Sequence, residues 1–417
     1  MLLLKLSAEN IGRLLLKLPT ASDGTMTLHK RRNFFLIVIS VIVITLIYNE
    51  FLVYYLTIAL GCQWSALVDQ TKPVSRIFVI ADLHLLGIYR GHWFDKLRRE
   101  WQMYRSFQTA VHLLTPDAIF FLGSIFAHKR ISVGDQFDEG LLGPDIVFSH
   151  YADRFDQLLY VPKGVRRFVL VGNHDIGFHN EISPPRLHRF TRTFNSSLVS
   201  HVMLGNSHFV LINSMAMDRD GCRLCQEAEA QLKHLKIRFE CAKNKSSNCN
   251  EGFSIPYSRP ILMQHFPLFR NDDKECGDDP DVAPEPLRSQ QFREKWECLS
   301  RSATEHLLKA LNPRAVFDGH THYGCKTWWP EPYKMWEWTV ASFSWRNTPQ
   351  PAFLLLTLSE NELLVNKCLL PNELTIICIY VVVASLCFCY MVYIVAKCCK
   401  SPKQKYPKYE LLSGKFD

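Results

Sequence analysis

The sequence predicts an α/β domain carried between two membrane-spanning helices. Three observations predict it. Short β-rich runs alternate with helical periodicity between residues 76 and 317, residues 34–60 are apolar apart from Asn49 and Glu50, and residues 374–396 form a 23-residue stretch without a charge. With 47% hydrophobic and 21% charged residues over 417 positions, the chain is too apolar for disorder and too charged to consist of spans alone. A sizeable globular core must therefore lie between the two apolar runs.

At about 1.5 Å per residue, twenty residues cross the roughly 30 Å hydrocarbon layer, so each run is long enough to span it. A pair of buried core helices is the alternative, disfavoured by so long an uninterrupted apolar run. A cleaved signal peptide is the rival for the first run, but its length and the long polar stretch ahead of it favour an anchor. Met26 is a candidate second start. Lys30-Arg31-Arg32 precedes the first span and Lys397, Lys400, Lys403, Lys405 and Lys408 follow the second, so the positive-inside rule places both tails in the cytosol. The expected organisation is a cytosolic tail 1–33, a span 34–60, a lumenal domain 61–371, a span 374–396 and a basic cytosolic tail 397–417.

The net charge of +8 resides in the tails: each carries six basic against two acidic residues, and the body between them balances. A nucleic-acid-binding domain needs a basic surface in its folded body, so no nucleic-acid partner is expected. Nine of the 14 cysteines fall between the spans, as do the sequons at Asn195 and Asn244, which fits an oxidising lumen. Cys222-Arg223-Leu224-Cys225 reads as a redox or zinc motif, yet no second CxxC follows at zinc-ribbon spacing. With Cys241 and Cys249 close behind, a disulfide-stapled excursion is the expectation. Cys398-Cys399 beside lysines suits palmitoylation.

Five segments end strand-like runs with metal-ligating side chains. Residues 76–81 deliver Asp82-Leu83-His84, where strand alternation would put Asp82 and His84 on one side. A helix follows with Phe94, Leu97, Trp101, Phe107, Val111 and Leu114 near one face, then a strand at 117–122. Residues 167–171 lead to Gly172-Asn173-His174-Asp175, 260–264 to His265, and 315–317 to Asp318-Gly319-His320-Thr321-His322. Open α/β sheets place their sites at the carboxyl ends of strands. Carboxylate, imidazole and amide oxygen without thiolate suit divalent ions such as Mn, Fe(II) or Zn in a catalytic rather than a structural site. Each segment alone also reads blandly, as a capped turn or a core histidine; it is the ordered set that points to a metal centre.

That ordered set resembles the calcineurin-like metallophosphoesterase superfamily, whose signature runs DxH, GDxx(D), GNH(D/E), a lone H, then GHxH. The match extends from Ile77 to Phe343 and leaves four blocks intact. The resemblance implies a metallophosphoesterase-type β-sandwich flanked by helices. It implies two divalent ions, manganese first with iron or zinc as alternatives, the first held by Asp82, His84, Asp135 and His322 and the second by Asp135, Asn173, His265 and His320. His174 would point away from the metals and protonate the leaving oxygen, with Asp175 orienting its ring; a purely supporting histidine is the plainer alternative. The spans, residues 91–103 and residues 342–347 resemble a secretory-pathway branch that removes ethanolamine phosphate from glycosylphosphatidylinositol (GPI) anchors. This implies the GPI glycan as partner, vesicle cargo receptors as further candidates, and cycling between endoplasmic reticulum and Golgi, although the terminus shows no dilysine signal.

One block departs from the pattern. After Phe121-Leu122-Gly123 the sequence continues Ser124-Ile125-Phe126 and supplies Gly134-Asp135-Gln136-Phe137-Asp138 only later. An insertion ahead of the motif is the preferred reading, with Asp135 bridging and Asp138 supporting it; a gene-model error would look the same. Asp138 stands where purple acid phosphatases need a tyrosine, which disfavours an Fe(III) charge-transfer site. Glu139, Trp93 and Trp345 are candidates to meet an ethanolamine ammonium, with a core role the plainer expectation for the tryptophans. The competing readings are a pseudoenzyme that binds GPI-anchored cargo and a hydrolase of another lumenal phosphodiester.

Overall fold

The computed structural model describes residues 28–67, 73–85, 93–123, 145–244, 256–360 and 362–399. Eleven strands are formed among them: β1 (Ser75–Ile80), β2 (Ala118–Phe121), β3 (Arg166–Val169), β4 (Val199–Leu204), β5 (Ser207–Ile212), β6 (Ile261–Met263), β7 (Ala315–Asp318), β8 (Cys325–Trp329), β9 (Met335–Thr339), β10 (Ala352–Leu358) and β11 (Leu363–Leu369). They pair into a five-stranded sheet, β11-β10-β1-β2-β3, and a six-stranded sheet, β4-β5-β6-β7-β9-β8. The runs β1-β2-β3 and β5-β6-β7-β9 are parallel, and the outer hairpins are antiparallel.

The sandwich follows from strands that are apolar on both faces. Successive side chains leave a strand on opposite sides. Ile77 and Val79 of β1, Phe120 of β2, Phe209 of β5, Ile261 and Met263 of β6 and Phe317 of β7 form the core between the sheets. Their neighbours Phe78, Ile80, Ile119, Phe121, Leu262 and Val316 face the other way, into the core shared with the helices. Phe120 stacks on Phe209 with centroids 5.2 Å apart, a contact from one sheet to the other. Parallel strands joined by helical crossovers are covered on both faces, and this pattern produces the expected β-sandwich flanked by helices.

The expected helix after β1 is present as Trp93–Leu114, but its apolar stripe is shorter than its periodicity suggests. Met103, Phe107, Ala110 and Val111 are buried, whereas Phe94 and Leu97 are 55% and 58% exposed. The N-terminal turns thus lie outside the core. Further along, Gln102 donates to Phe343 O at 3.1 Å and accepts from Trp345 N at 3.2 Å, tying the helix to the segment that follows β9.

Among the described residues, two helices are long and apolar enough to cross a membrane, Asn33–Gly61 and Glu373–Lys397. Phe35, Ile44, Phe388 and Val395 on them are at least 60% exposed, which excludes the core-helix reading. The chain divides into a unit of residues up to Ile47 and from Ile377, and a unit of Tyr48–Ile376. In the first, Phe34 meets Tyr390 with ring centroids 5.0 Å apart. In the second, the first apolar helix passes through a π-turn at Tyr48–Leu52 and ends at Cys62, disulfide-bonded to Cys368 of β11.

A second disulfide joins Cys276 to Cys325, and Cys241 is also disulfide-bonded. The expected stapled excursion needs correcting at its first pair: Cys222 and Cys225 are free thiols. Asp220 sits beside them and accepts from Cys222 N at 3.0 Å, so the CxxC is organised by a carboxylate.

Candidate metal centre

Six of the seven candidate ligands converge at the carboxyl edges of the strands. β1 releases the chain at Ile80, and Asp82 and His84 follow with φ of 54° and 50°. Strand alternation therefore does not place them, contrary to expectation. Two left-handed residues turn both side chains into one site, with His84 Nε2 3.5 Å from Asp82 Oδ1. Ser342 fixes this turn by donating its hydroxyl to Asp82 O at 2.6 Å.

β7 delivers the facing pair by the same device, His320 and His322 having φ of 72° and 69°. Gly319 permits the approach of the two strand ends. A Cβ there would stand 2.7 Å from the Cβ of Ala81 and 2.8 Å from Asp82 Oδ2. His320 N donates to Asp82 Oδ2 at 2.7 Å, and His322 Nε2 comes within 3.1 Å of His84 Nε2. Asp82, His84 and His322 form one group able to surround an ion.

The second group is Asn173, His265 and His320. Asn173 opens the short helix after β3, and its Oδ1 lies 3.0 Å from His265 Nε2; the rings of His265 and His320 are 5.0 Å apart. Ser214, at the carboxyl edge of β5, accepts from the backbone N–H of His265 and Phe266 at 3.0 and 2.9 Å and so holds the histidine in place. Trp296 O receives His320 Nε2–H at 2.6 Å, which leaves Nδ1 of that ring for a ligand.

The protonation pattern fits divalent ions. Burial, with a smaller contribution from the neighbouring His320, holds His265 well below the ordinary histidine range, and burial also lowers His320. His322 is pushed down to about 3, chiefly by burial and then by His84. These rings are neutral at pH 7. His265 gives its one proton from Nδ1 to Leu122 O at 2.7 Å, so Nε2 turns a lone pair towards the amide oxygen of Asn173, an acceptor facing an acceptor. A cation reconciles the two. The O and N donors, lacking sulfur, match the hard-to-borderline ions expected.

Asp135, with Asp138 and Glu139, lies outside the described residues. What is described is the exit of β2 towards them. Gly123 adopts φ of +98°, and a Cβ on it would lie 2.8 Å from both Gly172 N and His265 Nδ1. The chain thus leaves β2 packed against His265 and the turn that carries Asn173.

His174 stays beside the ligands rather than turning away from them, its ring edge-on to His84 at 4.8 Å. Asp175 Oδ2 accepts from Gly172 N at 2.7 Å, so its carboxylate closes the turn that presents Asn173 and His174. Of the tryptophans, Trp345 is buried, with Nε1 bonded to Pro371 O at 2.8 Å and the Arg98 guanidinium over its face, whereas Trp93 is 68% exposed. Sequence reasoning missed Ser214 and Trp296; the position of Ser214 just past a strand end was the available signal.

The sequence profile of the calcineurin-like phosphoesterases matches residues 75–324. The chain belongs to that family. Among its relatives, Metallophosphoesterase 1 of Xenopus laevis is 41% identical over 369 residues, covering 84% of this chain and 87% of its own. The Metallophosphoesterase 1 homolog of Caenorhabditis elegans is 40% identical over 343 residues, covering 81% and 86%. A solved dimetal phosphatase from Danio rerio covers 71% of this chain and 96% of its own at 16% identity and a TM-score of 0.40. This calcineurin-like phosphoesterase is a metal-dependent hydrolase of phosphoric esters, and its fold calls for divalent ions.

Proposed function

We propose that this phosphoesterase hydrolyses the phosphodiester linking ethanolamine phosphate to a mannose of GPI anchors in the lumen of the early secretory pathway, with manganese as its native ion. The observation that carries the reading is a two-part donor set free of sulfur in a chain whose domain is bracketed by two apolar helices. An enzyme anchored at both ends suits a substrate that is itself anchored. Asp82, His84 and His322 would hold one ion and Asn173, His265 and His320 the other, with Asp135 shared. Such ions supply Lewis acidity towards the phosphoryl oxygens and activate the attacking water.

The protein's own groups do the rest. His174, whose ring lies 4.8 Å from that of His84, would deliver a proton to the leaving sugar oxygen, and Asp175 keeps its turn closed. For the ethanolamine ammonium, the exposed face of Trp93 is the available aromatic surface, since Trp345 is enclosed by its neighbours. Vesicle cargo receptors are the partners this reading adds. The test is mass spectrometry of GPI glycans from cells lacking the protein. Retained ethanolamine phosphate, removed on re-expression of wild type but not of His265→Ala, is the expected result. Identical glycans in all three lines would redirect the enzyme to another lumenal phosphodiester.

A further inference from the structure

Away from the strand ends, four more ligand-bearing side chains converge. His179 begins the turn after Phe178, and Asp220, Cys222 and Cys225 lie at the start of the helix Arg223–Asn244. One ligand atom from each lies within 4.8 Å of the others. His179 Nδ1 is 2.9 Å from Met215 O, which can only accept, so that nitrogen carries the proton. In the neutral ring Nε2 is then a lone pair, and it faces Asp220 Oδ2 at 2.8 Å. The Sγ atoms of Cys222 and Cys225 are 2.7 Å apart, and Cys225 Sγ is 3.3 Å from Asp220 Oδ1. Ligand atoms from four residues are gathered at one point, the Cys222 thiol donating to Cys225 Sγ and the Cys225 thiol to Asp220.

A proton on His179 relieves only its contact with Asp220. The thiols gain nothing from it, and Cys225 is pushed up to about 12 by burial and by its bonds to Cys222 and Asp220. A divalent ion takes a lone pair from all four residues at once and displaces both thiol protons to solvent. The backbone is shaped for the arrangement: Arg219 at φ 58° and Gly221 at φ 79° flank Asp220. A histidine whose second nitrogen is bonded to a backbone carbonyl is the usual form of a metal-ligating imidazole.

We propose that His179, Asp220, Cys222 and Cys225 bind one zinc ion at a closed structural site distinct from the two-metal centre. Four ligands with two thiolates fit tetrahedral zinc and discriminate against manganese and magnesium. Seating the ion requires the sulfurs to part by about 1 Å, given Zn–S bonds near 2.3 Å. The competing fate of the pair is a disulfide, which would draw the sulfurs together and leave Asp220 and His179 facing each other. The site would brace the catalytic loops: His179 lies five residues beyond His174, and Met215 adjoins Ser214, which holds His265.

The test uses the full-length protein purified in detergent and reconstituted with cobalt(II). Thiolate-to-cobalt charge-transfer absorption is expected, because the O and N donors of the two-metal centre cannot produce it. It should persist in His265→Ala and Cys298→Ser and vanish in Cys222→Ser/Cys225→Ser, which should also lose one equivalent of zinc from the protein as isolated. The spectrum of the unmutated protein decides the matter even where the double variant fails to fold. Absence of that absorption, together with recovery of a Cys222–Cys225 disulfide from non-reduced peptides, would overturn the proposal.

Discussion

In the proposed mechanism His174, its ring edge-on to His84 at 4.8 Å, is the general acid. A general acid matters only when the leaving oxygen is basic. His174→Ala is therefore expected to retain bound metal and to lose about 10²–10⁴-fold on a sugar or alkyl phosphodiester, with a far smaller loss on an activated aryl ester. Equal losses on both substrates would remove His174 from the acid role. A different histidine pair governs stability. His208 Nε2 lies 3.2 Å from Pro256 O, and His208 Nδ1 lies 2.9 Å from His201 Nε2, a pairing of neutral rings. Burial, then His208 and Arg238, lowers His201 to about 4. The unfolded chain, with a histidine pKa near 6.5, binds that proton more readily, so stability falls as pH drops from about 6.5 towards 4 and is fully present above that window. Unfolding midpoints at pH 7 and pH 5 should show His201→Gln losing less than wild type on acidification, by up to about 1.4 kcal/mol per pH unit.

Among the elements, the strands and the ligands at their ends were the most legible part of the sequence. Double-sided burial writes β1, β6 and β7 as apolar runs, and Asp82, His265 and His320 follow them within two residues. Left-handed backbone at Asp82, His84, His320 and His322 was not legible, because it arises from the meeting of two strand ends distant in sequence. The same holds for Ser214, for Trp296, and for His179 against a CxxC motif more than forty positions later. The helix Trp93–Leu114 shows the opposite error, since periodicity continues through Phe94 and Leu97, which stay outside the core. The displaced Gly-Asp block yields a prediction at this scale. Deleting 124–134 would join Gly123, already packed against His265, to Asp135. A bridging carboxylate must be held to about half an ångström, and a long loop holds it less well than a strand end. The deletion variant is expected to bind its two ions more tightly in competition with a chelator. Weaker binding would mean that the intervening residues contribute to the site.

For the molecule as a whole, the proposed reading puts the domain between the two apolar helices in the lumen and both basic tails in the cytosol. Asn195 and Asn244 are exposed, as glycosylation in a lumen would require. Glycosidase treatment should shift the mobility of the full-length protein, Asn195→Gln/Asn244→Gln should abolish the shift, and a tag after Asp417 should be digested in sealed microsomes. Protection of that tag would reverse the topology. The disulfide from Cys62 to Cys368 joins segments near the two ends of the domain. The central claim is that hydrolysis depends on divalent ions held by residues from both sheets. It is tested most directly by the rate at which the detergent-purified full-length protein cleaves an aryl phosphodiester before chelation, after chelation and after manganese is restored, beside His265→Ala. The account predicts loss of turnover on chelation, recovery with manganese, and at least about a hundredfold lower activity in a folded His265→Ala protein that binds less metal. Full activity in the chelated enzyme, or in the His265→Ala variant, would contradict it.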